Sequence, residues 1–335
     1  MTAATQEINR GSWRRASAWR NLLRDYPLIP LAVLLILLVI LVQIARPGTV
    51  NGGWVSFTIR QAGVLALLAG CQTMTMLTGG IDLSVGFVAS MSGFVVATFI
   101  NQPGGWVLGV GIALGAAALA GLVNGIGIGV FRVHPLIMTL GMGLIVLGFA
   151  NVWQLHNIQT GSGVPQELRT LGAGMTPLWG GLAIPNDLVI VAPIAVLIIF
   201  VLKRTGYGRM LYAIGDNPVA ARLSGVRSWQ VLVVLYVISS VLAAVAGLVQ
   251  SGLTQTANVR LVDSYLLPSV AAAVIGGTSI LGGRGGYSGT IVGALILTVL
   301  TGFLSIVLPE PWRLIVLGSI VVLVAAAYTR ATAEA

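Results

Sequence analysis

Apolar runs long enough to cross a lipid bilayer recur along this chain, and they constrain its fold more than any other feature. A helix needs about 20 mostly apolar residues to span the hydrocarbon core. The runs lie near residues 28–45, 55–78, 82–100, 106–131, 134–154, 185–202, 229–252, 265–281, 288–308 and 312–329. The sequence therefore predicts an all-α polytopic membrane protein with about ten transmembrane helices, some of them short or broken.

The composition agrees with lipid as the solvent of this chain. Of its 335 residues, 56% are hydrophobic and 8% are charged, whereas soluble domains carry roughly 25% charged residues. The net charge of +9 would suggest nucleic acid in a soluble protein, but here an anionic membrane surface explains it, and no nucleic-acid partner is expected. The single cysteine, Cys71, excludes an intrachain disulfide and a thiolate zinc cluster.

The basic residues predict the orientation of the chain. With ten spans and the N-terminus inside, most of the 18 lysines and arginines fall in cytoplasmic segments, as the positive-inside rule requires. Both termini are then cytoplasmic. The exceptions are Arg46, Arg169, Arg260 and Arg313 on the outside, and Arg60 within a span.

One transmembrane domain is expected over residues 1–335. Residues 1–27 form a cytoplasmic tail, which is either a short helix on the membrane surface or a disordered basic segment, and they lack a signal-peptide cleavage site. Two connections are long, an external one near 155–184 and a cytoplasmic one near 203–228.

The cytoplasmic connection contains signals for a short helix. Asn217 followed by Pro218 is typical of a helix start, and Gly225 is a C-terminal stop. A plain membrane-surface linker is one interpretation, but such a linker needs no caps, so we expect a docking helix for a cytoplasmic partner. The residues assigned to this coupling segment are Gly215, Asn217, Pro218, Ala220, Ala221, Arg222, Leu223, Ser224 and Gly225.

A carboxylate lies beside interrupted backbone in the second apolar region. Gly79 and Gly80 let the chain turn, and Asp82 precedes a stretch typical of a new helix. The carboxylate can accept N–H bonds from the first turn of that helix. A charge at membrane depth also suggests contact with a polar solute, and the two roles can coexist. The candidate translocation-pathway residues are Asp82, Ser84, Asn124, Thr139, Gly277 and Thr278.

Glycine patterns mark two further features. Gly121, Gly125 and Gly129 recur every four residues, which predicts close packing of one helix face against a neighbour. The glycine-rich segment at 276–286 lacks the context of a phosphate loop. A tight break between spans is expected there instead.

Four motifs, in this order, resemble bacterial ABC-importer permeases of the ribose/xylose/galactose type. They are "GGIDLSVG", "GLVNGIGIGVFRVHPLIMTLG", "TGYGRMLYAIGDNPVAARLSGV" and "AAAVIGGTSILGGRGGYSGTIVGA". The resemblance implies a pore-forming subunit of the bacterial inner membrane that imports a monosaccharide or related small carbohydrate. It implies a cytoplasmic ABC ATPase docked on residues 215–225, an extracytoplasmic solute-binding protein, and a second permease copy, identical or a close paralogue.

The chain shows no motif for chemistry of its own. Lys203, the only lysine, is followed by Arg204 and lacks the glycines of an ATP-binding P-loop, so ATP and Mg²⁺ are expected on a partner ATPase and no cofactor on this chain. No catalytic residues, metal ligands or enzyme activity are expected. The alternative is an ion-coupled secondary transporter of a small polar solute. Such a transporter usually needs several buried ionisable groups, whereas the spans of this chain offer Asp82 and Arg60.

Overall fold

A computed structural model describes residues 28–157, 163–177 and 183–333 of the chain, and the predicted tail at 1–27 lies outside this part. The helices are α1 (Leu28–Ala45), α2 (Gly52–Met76), α3 (Val85–Ala97), α4 (Gly105–Gly129), α5 (Pro135–His156), α6 (Gln166–Gly172), α7 (Leu188–Arg204), α8 (Gly206–Asp216), α9 (Pro218–Leu223), α10 (Ser228–Thr254), α11 (Leu266–Ile275), α12 (Tyr287–Val307) and α13 (Glu310–Ala333). A 3₁₀ turn at Asp263–Tyr265 precedes α11, and the strands β1 (Met175–Pro177) and β2 (Ala183–Pro185) pair antiparallel, Thr176 opposite Ile184.

Each predicted apolar run contains a helix, but the number of full spans differs from the prediction. Among the described residues, α1, α2, α4, α5, α10 and α12 are long and apolar enough to cross a membrane. A seventh span results if α7 and α8, bent by 68°, count as one. α3 and α11 have only 13 and 10 residues, because turns at 77–84 and 276–286 interrupt their apolar runs. The architecture is all-α, and the count of about ten full spans is not confirmed.

Close packing of α4 against α10 organises the centre of the bundle. A Cβ atom on Gly125 would lie 2.5 Å from the Cα of Val233, and one on Gly129 would lie 2.9 Å from the carbonyl oxygen of Trp229. Any larger residue would therefore push the two backbones apart. The glycine-lined helix face predicted from the four-residue spacing is confirmed. α10 also packs against α2, α3 and α6.

The outer surface of the bundle is apolar, as a membrane protein requires. On α1, for example, Ile36 and Leu37 are more than half exposed. In contrast, α2 is buried by protein from Ala62 to Met76. An exposed apolar surface of this extent is stable in lipid but not in water.

The two ends of the bundle carry different elements. The turns after α2 and α11 meet the end of α8, which leads into α9, at one end of the bundle, which we call the α9 end. The first turns of α2, the last turns of α12 and the start of α13 lie at the opposite end. Because α2 and α12 run between the two ends, they connect the elements at both.

Candidate functional site

The helix α9 forms where the sequence predicts it. The Asn217 Oδ1 atom accepts hydrogen bonds from the backbone nitrogens of Val219 and Ala220, both at 3.0 Å. Gly225 has a φ angle of +86°, a left-handed conformation that ends a helix at little cost only for glycine. The structure thus contains a short capped helix at Pro218–Leu223.

One face of α9 is exposed, and it carries two apolar side chains. Val219 and Leu223 lie one turn apart and are 56% and 84% exposed. Ala220 and Arg222 are exposed beside them. Ala221, by contrast, is buried in a core cluster of its own chain, so it anchors the helix rather than contacting a partner. Val219 was not among the individual residues assigned to the coupling segment, although its four-residue spacing from Leu223 is the signal for a shared face.

The end of α8 meets two turns that are distant in sequence. A Cβ atom on Gly215 would overlap the carbonyl oxygen of Leu77 and lie 2.5 Å from the backbone nitrogen of Gly283. The Gly283 N–H donates to the Leu77 carbonyl at 3.0 Å. A Cβ atom on Gly282 would lie 3.0 Å from the backbone nitrogen of Gly79. We call the five residues Leu77, Gly79, Gly215, Gly282 and Gly283 the glycine junction. Gly215, predicted to contact the ATPase, therefore faces inward.

Side chains of α8 reinforce this junction. The Tyr212 hydroxyl donates a 2.9 Å hydrogen bond to the carbonyl oxygen of Gly285. Leu211 and Ile214 are buried in the core of the same chain. α8 continues through Asn217 into α9. α9 is therefore connected through α8 to the turn before α3 and the turn after α11.

The carboxylate of Asp82 lies in a buried polar network. Its Oδ1 atom accepts from the Ser84 backbone nitrogen at 3.0 Å and from the Ser84 hydroxyl at 2.5 Å. Its Oδ2 atom accepts from the Ser239 hydroxyl on α10 at 2.8 Å. The Asn124 amide on α4 donates to the Ser84 Oγ atom at 3.0 Å. All four residues are fully buried, so the network ties the turn before α3 to α4 and α10.

Side chains from α2 and α5 hold the backbone of the same turn. The Gln72 amide nitrogen donates to the Asp82 carbonyl at 2.7 Å, and the Gln72 amide oxygen accepts from the Asp82 nitrogen at 3.2 Å. The Thr139 hydroxyl oxygen accepts from the Leu83 nitrogen at 3.0 Å. Irregular backbone at membrane depth requires such internal partners.

Asp82 does not accept hydrogen bonds from the first turn of α3, although this was predicted. α3 begins at Val85, and its N-cap residue Ser84 makes no side-chain cap. Asp82 instead accepts the N–H of Ser84 itself, one residue before the helix. The prediction of bonds to the first turn was wrong because the chain continues the turn through residues 83 and 84 before α3 begins.

The structure brings together four of the predicted pathway residues. Asp82, Ser84, Asn124 and Thr139 surround one turn. The other two, Gly277 and Thr278, lie in the turn after α11. Sequence reasoning missed Gln72 and Ser239, for which the available signal was a polar residue within an apolar run.

Two ionisable groups lie at a distance from this network. Arg60 donates from its Nη1 atom to the Ala173 carbonyl at 3.0 Å, which ties α2 to the segment after α6. Asp187, which the sequence analysis missed, is buried next to Gly63. Arg60 and Gln72 are about 18 Å apart along α2, so these groups form no continuous ionisable path with Asp82. Among the described residues, no group of His, Cys, Asp and Glu could hold a metal ion.

Comparison with known proteins places the chain among transport permeases. A family model described as "Branched-chain amino acid transport system / permease component" matches residues 54–325. The chain is 31% identical over 307 residues to the fructose import permease of Rhizobium meliloti, covering 89% of this chain and 84% of that protein. It is 30% identical over 312 residues to the ribose import permease of Escherichia coli K12 (92% and 93%), and 33% identical over 299 residues to that of Bacillus subtilis 168 (89% and 90%). No solved structure matches the chain.

Proposed function

Because this chain belongs to the family of branched-chain amino acid transport system permease components, we propose that it is the pore-forming permease subunit of an ABC importer that carries a small carbohydrate inward across the bacterial inner membrane. The relatives named as ribose and fructose import permeases match most of the chain. Their names support a carbohydrate rather than an amino acid as the solute.

The mechanism that we propose depends on the contacts of the glycine junction. An ABC ATPase, with its own ATP and Mg²⁺, docks on the exposed face of α9 around Val219 and Leu223. Its movement displaces α9 and α8 together, because Asn217 joins them directly. Gly215 then moves against Leu77 and Gly283, and the turns before α3 and after α11 move with it. ATP hydrolysis on the partner is thereby converted into rearrangement of the membrane helices.

The charge around α9 supports a cytoplasmic location for this end. Lys203 and Arg204 end α7, Arg209 lies on α8, and Arg222 and Arg227 lie on and just after α9. Basic segments of this kind are retained on the cytoplasmic side. A multi-pass chain in this orientation receives its solute from an extracytoplasmic binding protein, and a second permease copy, identical or a close paralogue, completes the pathway.

We assign Asp82, Ser84, Asn124 and Thr139 to the support of the moving turn. Their side chains are fully buried and bonded to one another or to the turn. Gly277 and Thr278 belong to the second turn that the glycine junction moves. In the conformation described, these six residues shape the pathway by positioning α3 and the segment after α11.

Reconstitution tests the proposal. The permease is inserted into liposomes with its ATPase and binding protein, and uptake of radiolabelled D-ribose and D-fructose is measured. Uptake is expected with ATP and active ATPase, and not with a hydrolysis-deficient ATPase. Accumulation driven by an ion gradient without ATP would favour the secondary-transporter alternative. ATP-driven uptake of L-leucine, with neither sugar carried, would overturn the carbohydrate assignment.

A further inference from the structure

A cavity of about 440 Å³ opens at the end of the bundle opposite α9. It lies between α2, the 3₁₀ turn and α11, α12 and α13. Along α2 its lining extends from Phe57 to Leu65, which is about 12 Å of helix, so it reaches the middle of the bundle. Its volume is within the range of roughly 300–1,000 Å³ that is typical of small-molecule sites.

One wall of the cavity carries three hydroxyl groups. Thr298, Thr301 and Ser305 lie on one face of α12, at spacings of three and four residues. Each hydroxyl donates to a backbone carbonyl of its own helix, at 2.6–2.8 Å. Because the hydroxyl hydrogen is used within the helix, the oxygen lone pairs remain as acceptors. This wall is suited to accept hydrogen bonds from a ligand.

Other lining residues supply donors and an aromatic ring. The Tyr265 hydroxyl donates to the Gln61 amide oxygen at 3.0 Å, which leaves the Gln61 amide nitrogen as a donor. Glu310 and Arg313 line the cavity from the first turn of α13. The Arg313 Nε atom is buried and has no hydrogen-bond partner among the described residues. An unpartnered buried donor of this kind is costly unless a ligand or water satisfies it.

The cavity therefore combines acceptors, donors and an aromatic ring, with one acidic and one basic residue. A neutral polyhydroxylated molecule matches this set, because each of its hydroxyls both donates and accepts, and its C–H surfaces pack on an aromatic ring. We propose that this cavity is the site that the carbohydrate binds first when it enters the membrane part of the permease. This inference rests on the proposed function. It places the contact with the solute away from the fully buried network around Asp82.

Thiol protection tests the cavity directly. Thr301 is exposed, and the native Cys71 is fully buried, so Thr301→Cys introduces one accessible thiol. The reconstituted complex is labelled with a membrane-impermeant thiol reagent, with and without D-ribose or D-fructose. With sugar at about ten times its half-saturating concentration, about tenfold slower labelling is expected, because only about a tenth of the sites stay empty. The control Val307→Cys is 47% exposed on the same helix but outside the cavity lining, and its labelling should not change.

A second variant covers the case in which Thr301→Cys assembles poorly. Thr298→Val keeps the side-chain shape and removes one acceptor, so the KM for sugar uptake should rise about tenfold while the ATPase still co-purifies. Ser319→Ala, which removes a hydroxyl of α13 outside the cavity lining, should leave KM unchanged. If the wild type carries sugar but Thr301→Cys shows no protection and Thr298→Val shows no change in KM, the cavity assignment is wrong. If the wild type carries no sugar, the proposed function fails first.

Discussion

The backbone N–H of Gly283 donates a 3.0 Å hydrogen bond to the carbonyl oxygen of Leu77. This bond joins the turn after α11 to the turn before α3, and Gly215 at the end of α8 packs against both partners. The contact is made by backbone atoms, which cannot turn away as a side chain can. The segment that leads into α9 is therefore mechanically connected to both interruptions of the membrane helices.

Gly215→Ala should weaken this connection. The new methyl group would overlap the Leu77 carbonyl oxygen, and overpacking of this kind typically costs about 1–3 kcal/mol. ATP-driven uptake is expected to fall by about tenfold or more, with the ATPase still bound. Gly141→Ala is the matched control, since its methyl group would meet no atom within 4 Å. Equal uptake by the two variants would show that the junction does not transmit movement of α9 to the membrane helices.

Leu223→Asp should weaken binding of the ATPase without affecting membrane insertion. Leu223 is 84% exposed, so the substitution removes no internal packing. Loss of an apolar anchor at an interface typically costs on the order of 2 kcal/mol, or about 30-fold in affinity. Co-purification of the two subunits from detergent measures the effect, and Leu223→Met should retain binding. An unchanged yield of complex for Leu223→Asp would remove α9 as the docking helix.

Asp82→Leu should lower stability more than Asp82→Asn. Leucine leaves the hydroxyls of Ser84 and Ser239 without their shared acceptor, at about 1–3 kcal/mol for each unpaired buried group. Asparagine keeps one side-chain oxygen. Thermal unfolding in detergent should rank the wild type first, then Asp82→Asn, then Asp82→Leu. The reverse order of the two variants would mean that the network does not support the turn.

Cys71 should be unreactive in the folded protein. Its side chain is fully buried, and its thiol donates to backbone carbonyls of Leu67 and Ser239 at 3.4 and 3.2 Å. Maleimide should therefore not label Cys71 in the native protein, but it should label Cys71 once the chain has been unfolded in detergent. Rapid labelling of the native protein would indicate that α2 and α10 separate readily.

Local signals were sufficient for some elements of this protein. The bounds of α9 followed from Asn217, Pro218 and Gly225, because a cap and a left-handed glycine depend only on adjacent residues. The family resemblance also lay in contiguous motifs. The number of full spans was less predictable, because hydropathy measures whether a segment is apolar and not whether turns shorten it to the 13 residues of α3.

The apolar runs, the composition and the capped segment were enough to establish a membrane-embedded all-α chain with a short helix between α8 and α10. The tertiary structure alone decided what surrounds Asp82, where Gly215 lies and which side chains share the cavity. The reason is distance along the chain: Asp82 and Ser239 are separated by 157 residues, and Tyr265 and Gln61 by 204. Contacts of that separation depend on how the helices pack, which no local pattern encodes.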